Sequence, residues 1–285
     1  MDEPKRRRFR PFRGARPVRP AVAGAEPTPP KPRSRGVYIL PNAFTTANLF
    51  AGFYAIVQAM NGRFEAAAVA IFVAMVLDSL DGRVARLTNT QSAFGEQYDS
   101  MSDMVSFGAA PALIVYEWSL RGMGKLGWLA AFVYVAGAAL RLARFNTNIG
   151  VVDKRFFQGL PSPAAAALVA GLVWIATDLR ETRWIDSTGP DLRWLAWAVT
   201  VYAGVTMVSN APFYSFKDVN LRKSVPYMVV PLIVLAFVLV SSDPPIVLFS
   251  LFLVYAVSGY VIWVLRWRSG RPSVARPPPP SAPPN

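Results

Sequence analysis

Apolar residues in this chain come in long runs rather than in alternation with polar ones. Between two polar tails the sequence divides into eight stretches of about 20 mostly apolar residues, each long enough for a helix to cross a bilayer. They run roughly from 38 to 60, 64 to 86, 95 to 118, 126 to 146, 160 to 179, 192 to 211, 225 to 242 and 245 to 266. This pattern predicts an all-α, polytopic membrane protein with about eight transmembrane helices. The second, third and fourth runs turn amphipathic at one end, where charged and polar residues enter the apolar pattern.

Composition supports that reading. With 53% hydrophobic residues among 285, the chain is too apolar for an ordinary soluble domain. Residues 1–36 are rich in arginine and proline and have too few apolar positions for a core, which predicts a disordered basic tail. Residues 269–285 end in a second proline-rich tail, so the expected folded region is 37–268. The basic stretch is far longer than the n-region of a secretory signal, and the run after it is long enough to span.

The net charge of +13 follows topology rather than nucleic acid, which is not an expected partner. Eleven lysines and arginines precede residue 37, and if that tail is cytoplasmic, 24 of the 30 fall on the cytoplasmic side. Both termini are therefore expected inside, in a cell membrane of bacterial inner-membrane type, with the tail able to dock on anionic membrane lipids. The chain has no cysteine and no histidine, which excludes disulfides, thiolate zinc sites and cysteine nucleophiles. Any metal must sit on oxygen ligands, which favours magnesium or manganese. Any general base must be a carboxylate, a lysine or a tyrosine.

Four acids flank the short connection between the second and third runs. The second ends Asp78-Ser-Leu-Asp81-Gly82-Arg-Val-Ala85-Arg86, and the third opens Gly95-Glu-Gln-Tyr-Asp99-Ser-Met-Ser-Asp103. At 100° per residue, Asp78 and Asp81 lie about 60° apart on one helix, and Asp99 and Asp103 about 40° apart on the next. Both pairs fall at a similar depth, so antiparallel neighbours can bring all four together. Carboxylates at that depth are costly and repel one another unless cations neutralise them. A divalent-metal site is expected; the alternatives are ion pairs with Arg83, Arg86 or Arg141, or solvent-facing helix ends. Gly82 and Gly95 would admit a phosphate beside the acids, within reach of Arg86.

The segment Asp78–Asp103 resembles the CDP-alcohol phosphotransferase signature, DxxDGxxARx8GxxxDxxxD, at every defined position. The resemblance implies a six-helix membrane core that transfers a substituted phosphate from a CDP-linked donor to an alcohol and releases CMP. Asp78, Asp81 and Asp99 would hold two Mg2+ or Mn2+ ions, and Asp103 would be both ligand and base. Gly82, Ala85, Arg86 and Gly95 would line the nucleotide pocket, with Thr45 and Asn48 of the first helix approaching it. A homodimer is implied as well.

Further segments bear on the acceptor. Leu140–Asn146, Phe157–Pro163, Ser209–Lys217 and Ser106–Pro111 resemble the phosphatidylserine synthase branch of that family, as do the two helices beyond the six-helix core. The branch implies CDP-diacylglycerol and serine as substrates. Arg141, Arg144 and Asn146 are the candidate serine-binding residues, since an amino-acid carboxylate calls for a cation. Other acceptors, such as glycerol phosphate or inositol phosphate, and the more distant reading of a cation transporter remain as alternatives.

Overall fold

The structure, a computed structural model, describes residues 39–88, 90, 92–147, 156–181, 191–214 and 229–268. Among the described residues each predicted apolar run contains a helix. The helices are α1 (Ile39–Met60), α2 (Phe64–Thr88), α3 (Ala93–Asp103), α4 (Ala110–Trp118), α5 (Lys125–Thr147), α6 (Ser162–Glu181), α7 (Arg193–Val208), α8 (Val229–Ser242) and α9 (Pro244–Arg268). Four stretches, Pro41–Met60, Lys125–Thr147, Ser162–Arg180 and Pro244–Arg266, are long and apolar enough by themselves to cross a membrane. The 25-residue α2 carries Asp78, Asp81, Arg83 and Arg86 in its last part, and α7 and α8 are shorter, at 16 and 14 residues. The predicted tails, 1–36 and 269–285, lie outside the described residues, as do Lys154, Arg155, Lys217, Arg222 and Lys223.

Small residues set the packing. Ala51, Ala55 and Ala59, four apart on α1, are buried, as are Ala67, Ala68, Ala70 and Ala74 on α2. Without long side chains between them the two backbones approach closely, which is how helices gain dispersion contacts where no hydrophobic drive operates. On α6, Ala164–Ala170 and Leu172–Trp174 are buried, so this helix is central. By contrast α8 exposes Val230, Ile233, Val234, Leu235, Phe237, Val238 and Leu239. An apolar helix exposed in this way suits a lipid surface.

The third run is not one regular helix. A π-helical turn, Met104–Ala109, joins α3 to α4 directly after Asp103. Such turns re-aim the residues that follow them.

A second departure from the expected pattern is a two-stranded antiparallel ribbon. Here β1 (Phe156–Gln158) pairs with β2 (Pro212–Tyr214), with Phe156 opposite Tyr214 and Gln158 opposite Pro212. The segments expected to open the fifth helix and close the sixth therefore meet each other first. Gly159 makes this possible: its φ is +78°, a left-handed backbone that glycine adopts at little cost. The Gly159 amide donates to the Ala211 carbonyl (3.0 Å) and the Leu160 amide to the Thr206 carbonyl (3.1 Å). Phe213 is fully buried, and its ring fills the space left by Gly259 of α9. The ribbon thus ties the start of α6 to the end of α7 and to α9.

Replacing Gly159 by alanine should impose about 1–2 kcal/mol of left-handed strain and drive the new methyl against the Met207 carbonyl. A lower Tm of the detergent-solubilised protein, followed by intrinsic fluorescence, is the expected outcome.

Candidate active site

The site begins where α2 ends. The Thr90 amide donates back to the Ala85 carbonyl (3.1 Å), and the Thr88 and Thr90 hydroxyls bond each other at 2.7 Å. Ser92 then caps α3, its Oγ accepting from the Gly95 amide at 3.0 Å. Beyond this connection α3 carries Asp99 and Asp103 to the acid-bearing end of α2, both helices packing on α1. One carboxylate oxygen from each of Asp78, Asp99 and Asp103 can be chosen so that all three lie within 4.8 Å of one another. Asp81 lies outside that group; it is 5% exposed and accepts a 3.0 Å bond from the Thr45 hydroxyl. Three of the four acids thus meet closely, while Asp81, bonded to α1, stays within electrostatic range of all three and lines the same cleft as Asp99.

Helix α1 orients the acids. Asn48, fully buried, donates from Nδ2 to Asp103 Oδ1 at 3.2 Å. In return, α3 and the π turn hold α1: the Ser102 hydroxyl donates to the Thr45 carbonyl (3.1 Å) and the Ser106 hydroxyl to the Asn48 carbonyl (2.9 Å). Ser106 packs so closely on Gly52 that a Cβ there would lie 2.6 Å from the Ser106 Cα. Thr45 and Asn48 were expected at the nucleotide. Thr45 does line the cleft described below, whereas Asn48 is not among its lining residues.

Among the described residues no arginine forms an ion pair with any of the four aspartates, whereas Arg121 pairs with Glu117 at 3.0 Å. Buried Asp99 Oδ1 and Asn48 Oδ1 have no hydrogen-bond partner. Orphaned oxygens next to convergent carboxylates fit a hard divalent cation, which takes oxygen ligands.

Beside the acids lies a cleft of about 240 Å³. Thr45, Asp81, Gly82, Ala85, Arg86, Gly95 and Asp99 line it, and so do Pro41, Asn42, Thr90, Ser92 and Glu96, which the sequence reading did not single out. The Ser92–Gly95 cap spacing was a usable signal for part of that second group. A Cβ on Gly82 would meet nothing within 4 Å, so this glycine borders open space rather than a helix contact. Gly95 differs: a Cβ there would sit 3.2 Å from Ser92 Oγ, so the cap itself favours glycine.

The acceptor candidates separate. Arg141 donates from Nη1 to Ser162 Oγ (2.9 Å), its buried Nε has no partner, and it lies within electrostatic range of Asp103. Arg144 is held by Asn210 Oδ1 (3.2 Å), and Asn146 donates to Ser100 Oγ (3.1 Å). The last bond ties α5 to α3. Ser162 and Asn210 lie in the segments Phe157–Pro163 and Ser209–Lys217 that bear on the acceptor, but their bonds to Arg141 and Arg144, like that between Ser100 and Asn146, had no local signal because each partner is remote in sequence.

Fold and site together define a predominantly helical integral membrane protein with a cluster of carboxylates that could hold a metal ion beside a polar cleft. Residues 38–208 match the model of the CDP-alcohol phosphatidyltransferase family, and the chain belongs to that family. It is 36% identical over 229 residues, covering 80% of this chain and 92% of the relative, to a Helicobacter pylori protein named CDP-diacylglycerol--serine O-phosphatidyltransferase. Relatives of the same name occur in Mycobacterium leprae (30% over 251 residues, 85% of this chain and 81% of the relative) and in Saccharomyces cerevisiae (38% over 144 residues, 46% and 51%). The family expected from the signature is therefore the family found.

If α1 orients the acids, Asn48→Ala and Thr45→Val should each weaken Mn2+ binding by about 10- to 100-fold, as losses of ligand-orienting groups do. Titration followed by the electron paramagnetic resonance of free Mn2+ measures this without turnover.

Proposed function

We propose that this protein transfers the phosphatidyl group of CDP-diacylglycerol to the hydroxyl of L-serine, giving phosphatidylserine and CMP. The observation that carries the chemistry is the convergence of Asp78, Asp99 and Asp103 within 4.8 Å beside a cleft lined by Asp81, Gly82, Ala85 and Arg86. The choice of serine is supported by the names of the relatives and by Arg141.

Asp78, Asp81, Asp99 and Asp103 would hold the two Mg2+ or Mn2+ ions. Bound there, these ions would offset the negative charge that builds on the transferred phosphoryl group and on CMP. The protein's own residues bind, orient and move a proton. Gly82 leaves room for the donor's phosphates, and Arg86 supplies hydrogen bonds to their oxygens. Ala85, Gly95 and Thr45 line the nucleotide side. Arg141 receives the serine carboxylate, with Arg144 and Asn146 supporting that end of α5 through Asn210 and Ser100. Asp103, oriented by Asn48, takes the proton of the serine hydroxyl. Overall, a bond forms between the serine oxygen and the phosphatidyl phosphorus, and the phosphorus–oxygen bond to CMP breaks.

Cytoplasmic termini and a site in the cytoplasmic leaflet of a bacterial inner membrane are part of this proposal, supported by the lysine and arginine pattern. In that position a donor with two acyl chains can enter sideways from lipid. The protein is proposed to act as a homodimer, flanked by its basic N-terminal and proline-rich C-terminal tails.

Purified protein with CDP-diacylglycerol, Mg2+ or Mn2+ and labelled serine should release CMP and labelled phosphatidylserine in equal amounts. EDTA should stop the reaction, and Asp103→Asn should slow it by about 10²–10⁴, the usual contribution of a positioned base. CMP release with glycerol phosphate or inositol phosphate but not with serine would reassign the acceptor. Metal flux through proteoliposomes without CMP release would favour a transporter.

A further inference from the structure

We infer that Ser162 is a positioning residue: by holding Nη1 of Arg141, it presents the opposite edge of the guanidinium, Nε with Nη2, to the acceptor's carboxylate. This rests on the serine reading above and extends it to the geometry of selection.

The contact is half-buried. Ser162, at the start of α6, is 1% exposed, and its Oγ lies 2.9 Å from Arg141 Nη1. Among the described residues it is the only hydrogen-bond partner recorded for Arg141. The segment before it cannot drift, because the Gly159 and Leu160 amides are bonded to the Ala211 and Thr206 carbonyls. The ribbon and the end of α7 therefore fix where the Ser162 hydroxyl stands, and the hydroxyl fixes the rotation of the guanidinium.

A serine hydroxyl is a neutral acceptor. It orients the cation without cancelling its charge. That leaves Nε buried and unpartnered, and a buried unsatisfied donor on a charged group is costly. The groups that act electrostatically on Arg141 are Asp103 of α3, Tyr134 of α5 and Tyr255 of α9. None of them bonds Nε. Asp103 forms no ion pair with it, the Tyr134 hydroxyl is committed to the Phe107 carbonyl (2.9 Å), and the Tyr255 hydroxyl to the Tyr214 carbonyl (3.2 Å). The edge formed by Nε and Nη2 matches the two oxygens of a carboxylate, in the side-on, two-bond arrangement that arginine favours. Arg144, bonded in the same way through Nη1 to Asn210 Oδ1, differs in having no buried nitrogen without a partner. Recognition of the acceptor as an amino acid thus depends on one arginine and on the hydroxyl that turns it.

The test compares L-serine with L-serine methyl ester, which keeps the hydroxyl and the amine but lacks the carboxylate. With Ser162→Ala, KM for serine should rise about 10-fold, while KM for CDP-diacylglycerol, Mn2+ affinity and turnover of the ester stay as in the unaltered protein. Ser162→Thr, which retains the hydroxyl, should restore the KM for serine. Equal losses on serine and on its ester, or a parallel rise in KM for CDP-diacylglycerol, would make Ser162 a packing residue and overturn the inference. CDP binding by Ser162→Ala checks that the variant is folded. If the unaltered protein formed no phosphatidylserine while still releasing CMP with another alcohol, the serine reading itself would fail, which is a separate result.

Discussion

Thr45 and Asn48 stand one turn apart on α1, and each gives a hydrogen bond to a carboxylate on a different helix: Thr45 to Asp81 of α2, Asn48 to Asp103 of α3. The carbonyls of the same two residues accept from Ser102 and Ser106. This reciprocal lock is what the rest of the site depends on. It orients the acids and binds α1 to the segment that carries two of them. Each bond is also strengthened by a surrounding with little water to compete for it.

The charge balance follows from that arrangement. Two arginines, Arg83 and Arg86, share a helix with Asp78 and Asp81, yet neither makes an ion pair with an aspartate. Arg86 lines the cleft instead. Arg141 approaches Asp103 closely enough for its charge to be felt but is restrained by Ser162. Had these cations closed on the acids, the centre would have been neutralised from within and closed to metal and substrate. Keeping them apart leaves negative charge at the centre for a cation and positive charge at its margins for anionic ligands, which is the division of labour that phosphoryl transfer requires.

Much of this was legible in the chain. An apolar run of 20 residues reports its helix directly, because the length needed to cross a bilayer is set by the bilayer. The acids were legible for a related reason: helical spacing puts Asp78 with Asp81 on one face of their helix and Asp99 with Asp103 on one face of theirs. The π turn after Asp103, the ribbon of Phe156–Gln158 with Pro212–Tyr214, and the choice of Asn48 by Asp103 were not. Each depends on contacts between segments some 50 residues apart or on backbone geometry without a side-chain signature. The ribbon was further obscured because its residues sit at the ends of apolar runs and read as helix.

By itself the sequence determined the helical membrane class, the exclusion of sulfur and imidazole chemistry, and the signature from Asp78 to Asp103, since composition and local spacing govern all three. Tertiary structure decided which acids meet. It bonded Asp81 to Thr45, moved Asn48 from the cleft to Asp103, and distinguished Arg141 from Arg144. These outcomes turn on hydrogen bonds of about 3 Å between helices, and a shift of one residue in the packing of α1 or α6 would break them. No local pattern in a chain records that register.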